Sequence, residues 1–174
     1  QGLPVEILFY DYRDVRGLFD RICSIGMFEH VGPRNHKDYM KVAHRCLKKS
    51  GLFLLHTIGS NTSKYHPNPW IHKYIFPNGI LPSIQQIGRA SERLFIMEDW
   101  HNFGAYYDKT LMAWYENFNQ AWDTLKKDYD HRAFYRMWKY YLLACAGAFR
   151  ARDIQLWQIV FSKGGIINGY QSIR

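Results

Sequence analysis

Glu29 and His30 stand in Gly26-Met27-Phe28-Glu29-His30-Val31-Gly32, directly after the apolar run Phe19 to Ile25. A carboxylate can take up a proton, and an imidazole can do so near neutral pH. The run before them reads as a strand, and the carboxyl ends of strands are where open α/β sheets gather ligands. A second run, Leu52 to Leu55, ends in His56-Thr57-Ile58-Gly59 and carries another imidazole to the same edge. Two strands that each end in ionisable residues and glycine form the rim of an active site. Glu29 read alone serves equally as a helix cap or half of an ion pair, and His30 as a satisfied structural histidine.

The elements that must position these residues follow from periodicity. Val5 to Phe9 and Phe19 to Ile25 read as strands, and Asn35 to Lys49 as a helix capped by Asn35 and closed by Lys48-Lys49 and Gly51. Its apolar stripe is Tyr39, Val42, Ala43, Cys46 and Leu47. With Leu52 to Leu55 as the third strand, the alternation predicts a parallel α/β sheet. A loop with four prolines runs from Gly59 to Pro82, and loops this long are usually functional. Ser83-Ile84-Gln85-Gln86 is a capping box that opens a short helix with Ile84 and Ile87 inward. Phe95 to Trp100 reads as a strand. Asp108 can cap a helix carrying Leu111, Tyr115, Phe118, Trp122 and Leu125. A second helix spans His131 to Phe149, and Ile154 to Ser162 is a last strand.

Composition narrows the classes of partner. The 174 residues suit one domain, and aromatic residues make up 17% of them. That much flat apolar surface implies a large core, a hydrophobic groove, or a face covered by something else. The net charge of +8 favours anionic partners such as an anionic membrane surface, although the basic residues are scattered. No recognised nucleic-acid motif accompanies the charge. No apolar run approaches the roughly 20 residues that cross a bilayer, so any membrane contact is expected to be peripheral. Three cysteines without paired spacing argue against a disulfide framework and for a reducing cytoplasm. Eight histidines without metal-ligand spacing point to no metal site.

Several stretches together resemble one family. They are Phe19-Asp20-Arg21-Ile22, Gly26 to Pro33, Phe53 to Gly59, Tyr74 to Gly79, Met97 to Gly104 and Cys145 to Arg150. In that order they are similar to the cyclopropane fatty acyl phospholipid synthases. The resemblance implies an enzyme that uses S-adenosylmethionine to add a methylene across the double bond of an unsaturated acyl chain in a membrane phospholipid. It implies a Rossmann-like methyltransferase sheet with lipid-pocket helices inserted before the last strand. Its location would be cytoplasmic, at the inner face of the membrane. The glycine-rich loop expected after the first strand of such a sheet is absent from residues 1–174. The chain therefore reads as the carboxyl-terminal part of a longer catalytic domain, in which Val5 to Phe9 would be the third strand and Phe19 to Ile25 the fourth. The isolated piece is expected to be inactive and to self-associate through the open edge of that fourth strand.

The chemistry implied by the resemblance needs a base to remove a proton from the added methyl, and a dry pocket to protect the cation that precedes ring closure. In the family a bound bicarbonate is that base. Carried onto this sequence, Glu29, His56, the backbone amide of Ile58 and Tyr107 would hold it; the family's upstream cysteine contact matches none of the three cysteines here. Asp11 and Tyr12 would meet the adenine of the cofactor, and Gly26 would admit its methionine part. Leu111, Tyr141, Cys145 and Phe149 would line the acyl pocket, although core packing accounts for them equally well. A related lipid C-methyltransferase, or a non-enzymatic acyl-chain-binding or complementing fragment, remain the alternatives.

Overall fold

A computed structural model describes residues 2–127 and 131–172. Among these residues, four strands and six helices follow a short 3-10 turn at Tyr12–Asp14. They are β1 (Phe19–Ile25), α1 (Phe28–Val31), α2 (His36–Cys46), β2 (Leu47–Ser60), α3 (Pro69–Tyr74), α4 (Ile84–Ser91), β3 (Ile96–Asn102), α5 (Gly104–Leu125), α6 (His131–Arg150) and β4 (Ile154–Ser162). The strands form one sheet in the order β1-β2-β4-β3. β1 and β2 are parallel, as expected of strands joined through a helix, whereas β4 runs antiparallel to both of its neighbours.

The period-2 alternation of β2 and β4 gives the sheet two apolar faces. Phe53, Leu55, Trp157, Ile159 and Phe161 meet Phe28, Met40 and Ile87 in one core beneath α2 and α4. Ile58 and Leu156 point the other way and meet Leu111, Phe118, Leu142 and Phe149 of the α5–α6 hairpin. That hairpin enters the chain between β3 and β4, so it lies where the lipid-pocket helices were expected.

Local signals set most of the elements, and tertiary contacts reset their ends. β1, α6 and β4 lie within a residue of the sequence reading. α2 stops at Cys46, not at Lys49, because the fully buried Leu47 already pairs with Phe19 as the first residue of β2. Asn35 does not cap it; its side-chain amide donates to the Val31 carbonyl at 2.9 Å. The Ser83 capping box forms with both of its bonds, yet Ile84 is 59% exposed while Ile87 is fully buried. The segment read as loop from Gly59 to Pro82 contains α3, which Asn68 caps by accepting from the Trp70 and Ile71 amides. α5 opens at Gly104, whose N–H donates to the Asn102 side chain at 2.9 Å, and not at Asp108. Asp108 instead lies inside the helix and pairs with Arg150 of α6 at 2.9 Å.

Val5 to Phe9 forms no strand, and its residues are exposed. A strand needs a neighbour for its N–H and C=O groups, and among the described residues this segment has none. β1 ends the sheet order, so its outer edge is unpaired among the described residues.

Candidate active site

The site is built where β1 ends beside His56 of β2. Gly26 takes φ of +62°, in the left-handed region that glycine enters freely, and turns the chain from β1 towards α1. Its N–H donates to the His56 carbonyl at 3.0 Å, and a side-chain carbon at Gly26 would meet nothing within 4 Å. The backbone conformation, not a close approach, calls for glycine here, and the space beside it is open.

Glu29 follows on α1 and is only 6% exposed. Its Oε1 accepts from the Ile58 backbone amide at 2.7 Å, while its Oε2 is buried with no hydrogen-bond partner among the described residues. Buried carboxylate oxygens are rarely left unpaired, so this one marks a place for a donor. The Ile58 amide was expected to face a bound ion; it is engaged by the carboxylate itself, because a buried charge demands a donor.

His56 lies within β2, opposite Gln158 of β4. The Gln158 side-chain amide lies 3.0 Å from His56 Nδ1. With its nitrogen on that side the amide donates, Nδ1 accepts, and a neutral ring then carries its proton on Nε2. Burial lowers the His56 pKa, and the nearby charge of Glu29 partly opposes that shift. The ring is thus a neutral donor through Nε2 at neutral pH.

Tyr107 reaches the same place from the first turn of α5. Burial raises its pKa, with smaller contributions from Cys145 and from Glu29, so its hydroxyl remains protonated. Its ring meets Phe149 edge-on at 5.1 Å. Tyr141 is likewise raised by burial, then by Cys145 and Tyr107, and burial pushes the Cys145 thiol up to about 11. Leu111 and Phe149 are buried in the same cluster. Phe76, after α3, closes this wall: its ring lies 6.1 Å from Tyr141 and 5.6 Å from His30.

The structure therefore brings Glu29, Ile58, His56 and Tyr107 to one place and sets Tyr141, Cys145 and Phe149 beside them. Asp11 and Tyr12 are differently engaged. Asp11 caps the turn that follows it and clamps Arg13, whose hydrogen bonds lower its pKa to about 2. Tyr12 packs on Tyr39 at 5.3 Å. Sequence reading missed Gln158, which carries no local motif, and gave Phe76 no role. Strand alternation could have placed Gln158 on the His56 face, but not opposite His56. Among the described residues no group of His, Cys, Asp and Glu could hold a metal ion, and no helix is long and apolar enough to cross a membrane.

A sheet with its reactive groups beside the carboxyl end of β1 and on the adjacent parallel β2, and a helical hairpin before the last antiparallel strand, defines a Rossmann-like methyltransferase scaffold. Comparison with known proteins agrees, and the chain belongs to the mycolic acid cyclopropane synthetase family, which matches residues 3–159. It is 61% identical over its whole length to the cyclopropane-fatty-acyl-phospholipid synthase of Escherichia coli, of which it covers 45%. The chain thus spans about half the length of the curated relatives that it matches throughout. It is 32% identical to a tuberculostearic acid methyltransferase of Mycobacterium tuberculosis, over 91% of this chain and 39% of that one. Among solved structures, the Mycobacterium tuberculosis cyclopropane synthase MmaA2 superposes with a TM-score of 0.85 at 27% identity, covering 94% of this chain and 62% of that one. A mycolic acid cyclopropane synthase complexed with SAH and CTAB gives 0.80 at 29% identity, covering 90% and 59%.

Proposed function

We propose that this chain carries the base and the acyl pocket of an enzyme that transfers a methylene from S-adenosylmethionine to the double bond of an unsaturated acyl chain in a membrane phospholipid. One observation carries the reading: a buried glutamate on the helix after β1, with one oxygen bonded and the other without a partner among the described residues, lies near enough for its charge to act on a neutral imidazole and a protonated phenol. S-adenosylmethionine supplies the electrophilic methyl carbon, and the open space over Gly26 fits its approach. Bicarbonate, if bound here, would supply the base: Glu29 Oε2 would accept its hydroxyl proton, and His56 Nε2–H and the Tyr107 hydroxyl would donate to its oxygens. Two donors beside one carboxylate offset the repulsion between like charges. Phe149, Leu111 and Tyr141 keep water away from the reacting carbon. Asp11 and Tyr12 would meet the adenine, which requires Asp11 to share or release Arg13.

The test is Glu29→Gln in the full-length enzyme, with labelled cofactor and unsaturated phospholipid vesicles. The change keeps the side chain's shape but puts a second donor where the acceptor was. Loss of about 10²–10⁴-fold in ring formation, with cofactor affinity little changed, is expected for removal of general-base support. Unchanged turnover would remove Glu29 from the mechanism. A methyl-branched product instead of a ring would favour the lipid C-methyltransferase reading, which the tuberculostearic acid relative keeps open.

The enzyme acts at an anionic membrane surface, from the cytoplasmic side and without spanning it. The isolated chain is inactive and pairs with a second copy along the outer edge of β1. The exposed apolar residues of the unpaired 3–10 segment and of β1 support that pairing. Sedimentation that finds a monomer across a wide concentration range would defeat it.

A further inference from the structure

The stretch around α3 has properties that the chemistry at Glu29 does not use. No aspartate or glutamate occurs between His56 and Glu92, while Lys64, Lys73 and Arg89 fall inside that stretch. α6, which packs against it, also holds no acidic residue between His131 and Arg150. Across the join, Trp70 lies 4.5 Å from the Tyr140 ring and 5.3 Å from the Tyr74 ring. The Lys73 ammonium sits 5.0 Å over Tyr74. Folding leaves much of this aromatic cluster in water: Tyr74 is 46% exposed, Tyr140 55% and Phe76 42%.

We propose that this face, Trp70, Lys73, Tyr74 and Phe76 with Tyr140 of α6, is the surface that seats on an anionic lipid bilayer. The inference rests on the lipid-modifying reading above and says where on the chain the membrane meets it. Three arguments support it. Amphipathic aromatic rings sit at the headgroup level of a bilayer, with their apolar bodies inward and their polar tips wet. Lysines beside them keep their charge at the anionic surface, each contributing about 1 kcal/mol. The face is also continuous with the acyl wall: Phe76 meets Tyr141, which adjoins Cys145 and Tyr107 in the buried cluster. An acyl chain leaving the bilayer at Phe76 would pass directly onto Tyr141 and the apolar cluster behind it. A second copy fits the face poorly, because a two-fold contact would set one basic, acid-free surface against another.

Vesicle flotation of the chain, without cofactor, tests this. Vesicles of phosphatidylcholine alone are compared with vesicles that also contain phosphatidylglycerol, and brominated acyl chains report tryptophan depth by quenching. The chain should float with the anionic vesicles, less so at high salt, and its fluorescence should be quenched. Lys73→Gln should weaken partitioning about fivefold, the equivalent of one surface lysine at ~1 kcal/mol, while Lys41→Gln on α2 leaves it unchanged. Trp70→Phe should remove a large share of the quenching, and Trp100→Phe, beside the buried Trp157, should not. The proposal is overturned by any of three results: no flotation with anionic vesicles, equal losses for Lys73→Gln and Lys41→Gln, or quenching indifferent to Trp70→Phe. None of these readouts involves turnover, so their failure would leave the chemistry at Glu29 standing. Failure of Glu29→Gln to slow the full-length enzyme would, conversely, leave vesicle binding intact.

Discussion

Gln158→Glu should raise the pKa of His56 and favour its imidazolium form. In the native sheet the Gln158 amide donates to His56 Nδ1 across 3.0 Å, which leaves the single imidazole proton on Nε2. A carboxylate at the same place cannot donate. It can bond Nδ1 only if Nδ1 carries a proton, and its charge favours a second proton on the ring. An opposite charge within this range moves a pKa by about 1–3 units, each worth about 1.4 kcal/mol. Gln158 is half-buried, so solvent screening places the shift in the lower part of that range, about one to two units upward. Burial now holds His56 below its ordinary value, and the new charge should cancel or exceed that. The assay is a long-range proton–nitrogen correlation of the imidazole ring against pH, with His56→Gln to assign the signal. In the native chain Nδ1 should show the shift of an unprotonated nitrogen and Nε2 that of a protonated one at neutral pH. In the variant the midpoint should move up, and both nitrogens should be protonated below it. A native ring with its proton on Nδ1, or a midpoint that does not move in the variant, would refute the positioning role of Gln158. In the full-length enzyme the variant should lower kcat more than it raises KM, since the ring's proton state serves the chemical step.

Three further outcomes follow from the same geometry. Tyr107→Phe should reduce kcat/KM of the full-length enzyme by about 5–10-fold, less than Glu29→Gln, because it deletes one neutral donor worth about 1 kcal/mol. Gly59→Ala should destabilise the chain by at least about 1–3 kcal/mol in urea unfolding, because the added carbon would sit 2.0 Å from the buried Trp157 ring; native-like stability would mean that the ring can move. His36 is stacked at 4.1 Å on Phe28, and its buried Nε2 has no partner among the described residues. Burial lowers its pKa to about 4 from the ordinary 6.5. The folded state then binds fewer protons than the unfolded one between these values, so stability is full above about pH 6.5 and falls towards pH 4, by about 2–3 kcal/mol for this residue. His36→Phe should flatten that part of the profile measured by denaturant unfolding, and a profile as steep as the native one would exclude His36 as its source.

The amino-acid sequence determined the pieces whose signals are local. Phe19–Ile25, Ile154–Ser162 and the long helix from His131 are periodic runs, and the Ser83 box is a four-residue pattern; such features form from neighbours within one or two turns. It also placed Glu29 just after a strand; His56, read as following a strand that ends at Leu55, lies inside β2, which runs on to Ser60 because it pairs with β4 as far as Ile154. Tertiary structure decided what depends on distant partners. It ended α2 at Cys46 because Leu47 is buried in the sheet beside Phe19, and it left Val5–Phe9 outside any strand, with no neighbouring strand among the described residues. It chose Ile87 over Ile84 for the core. Periodicity cannot make that choice over a helix of two turns, where both residues lie near the same face. At the site, Tyr107 comes within range of the Glu29 charge only because the α5–α6 hairpin folds back over β2 and β4. Gln158 meets His56 across 102 residues of chain, a pairing set by the antiparallel register of β2 and β4. Register is a property of two strands together, and a shift by one residue would have turned Gln158 to the other face of the sheet.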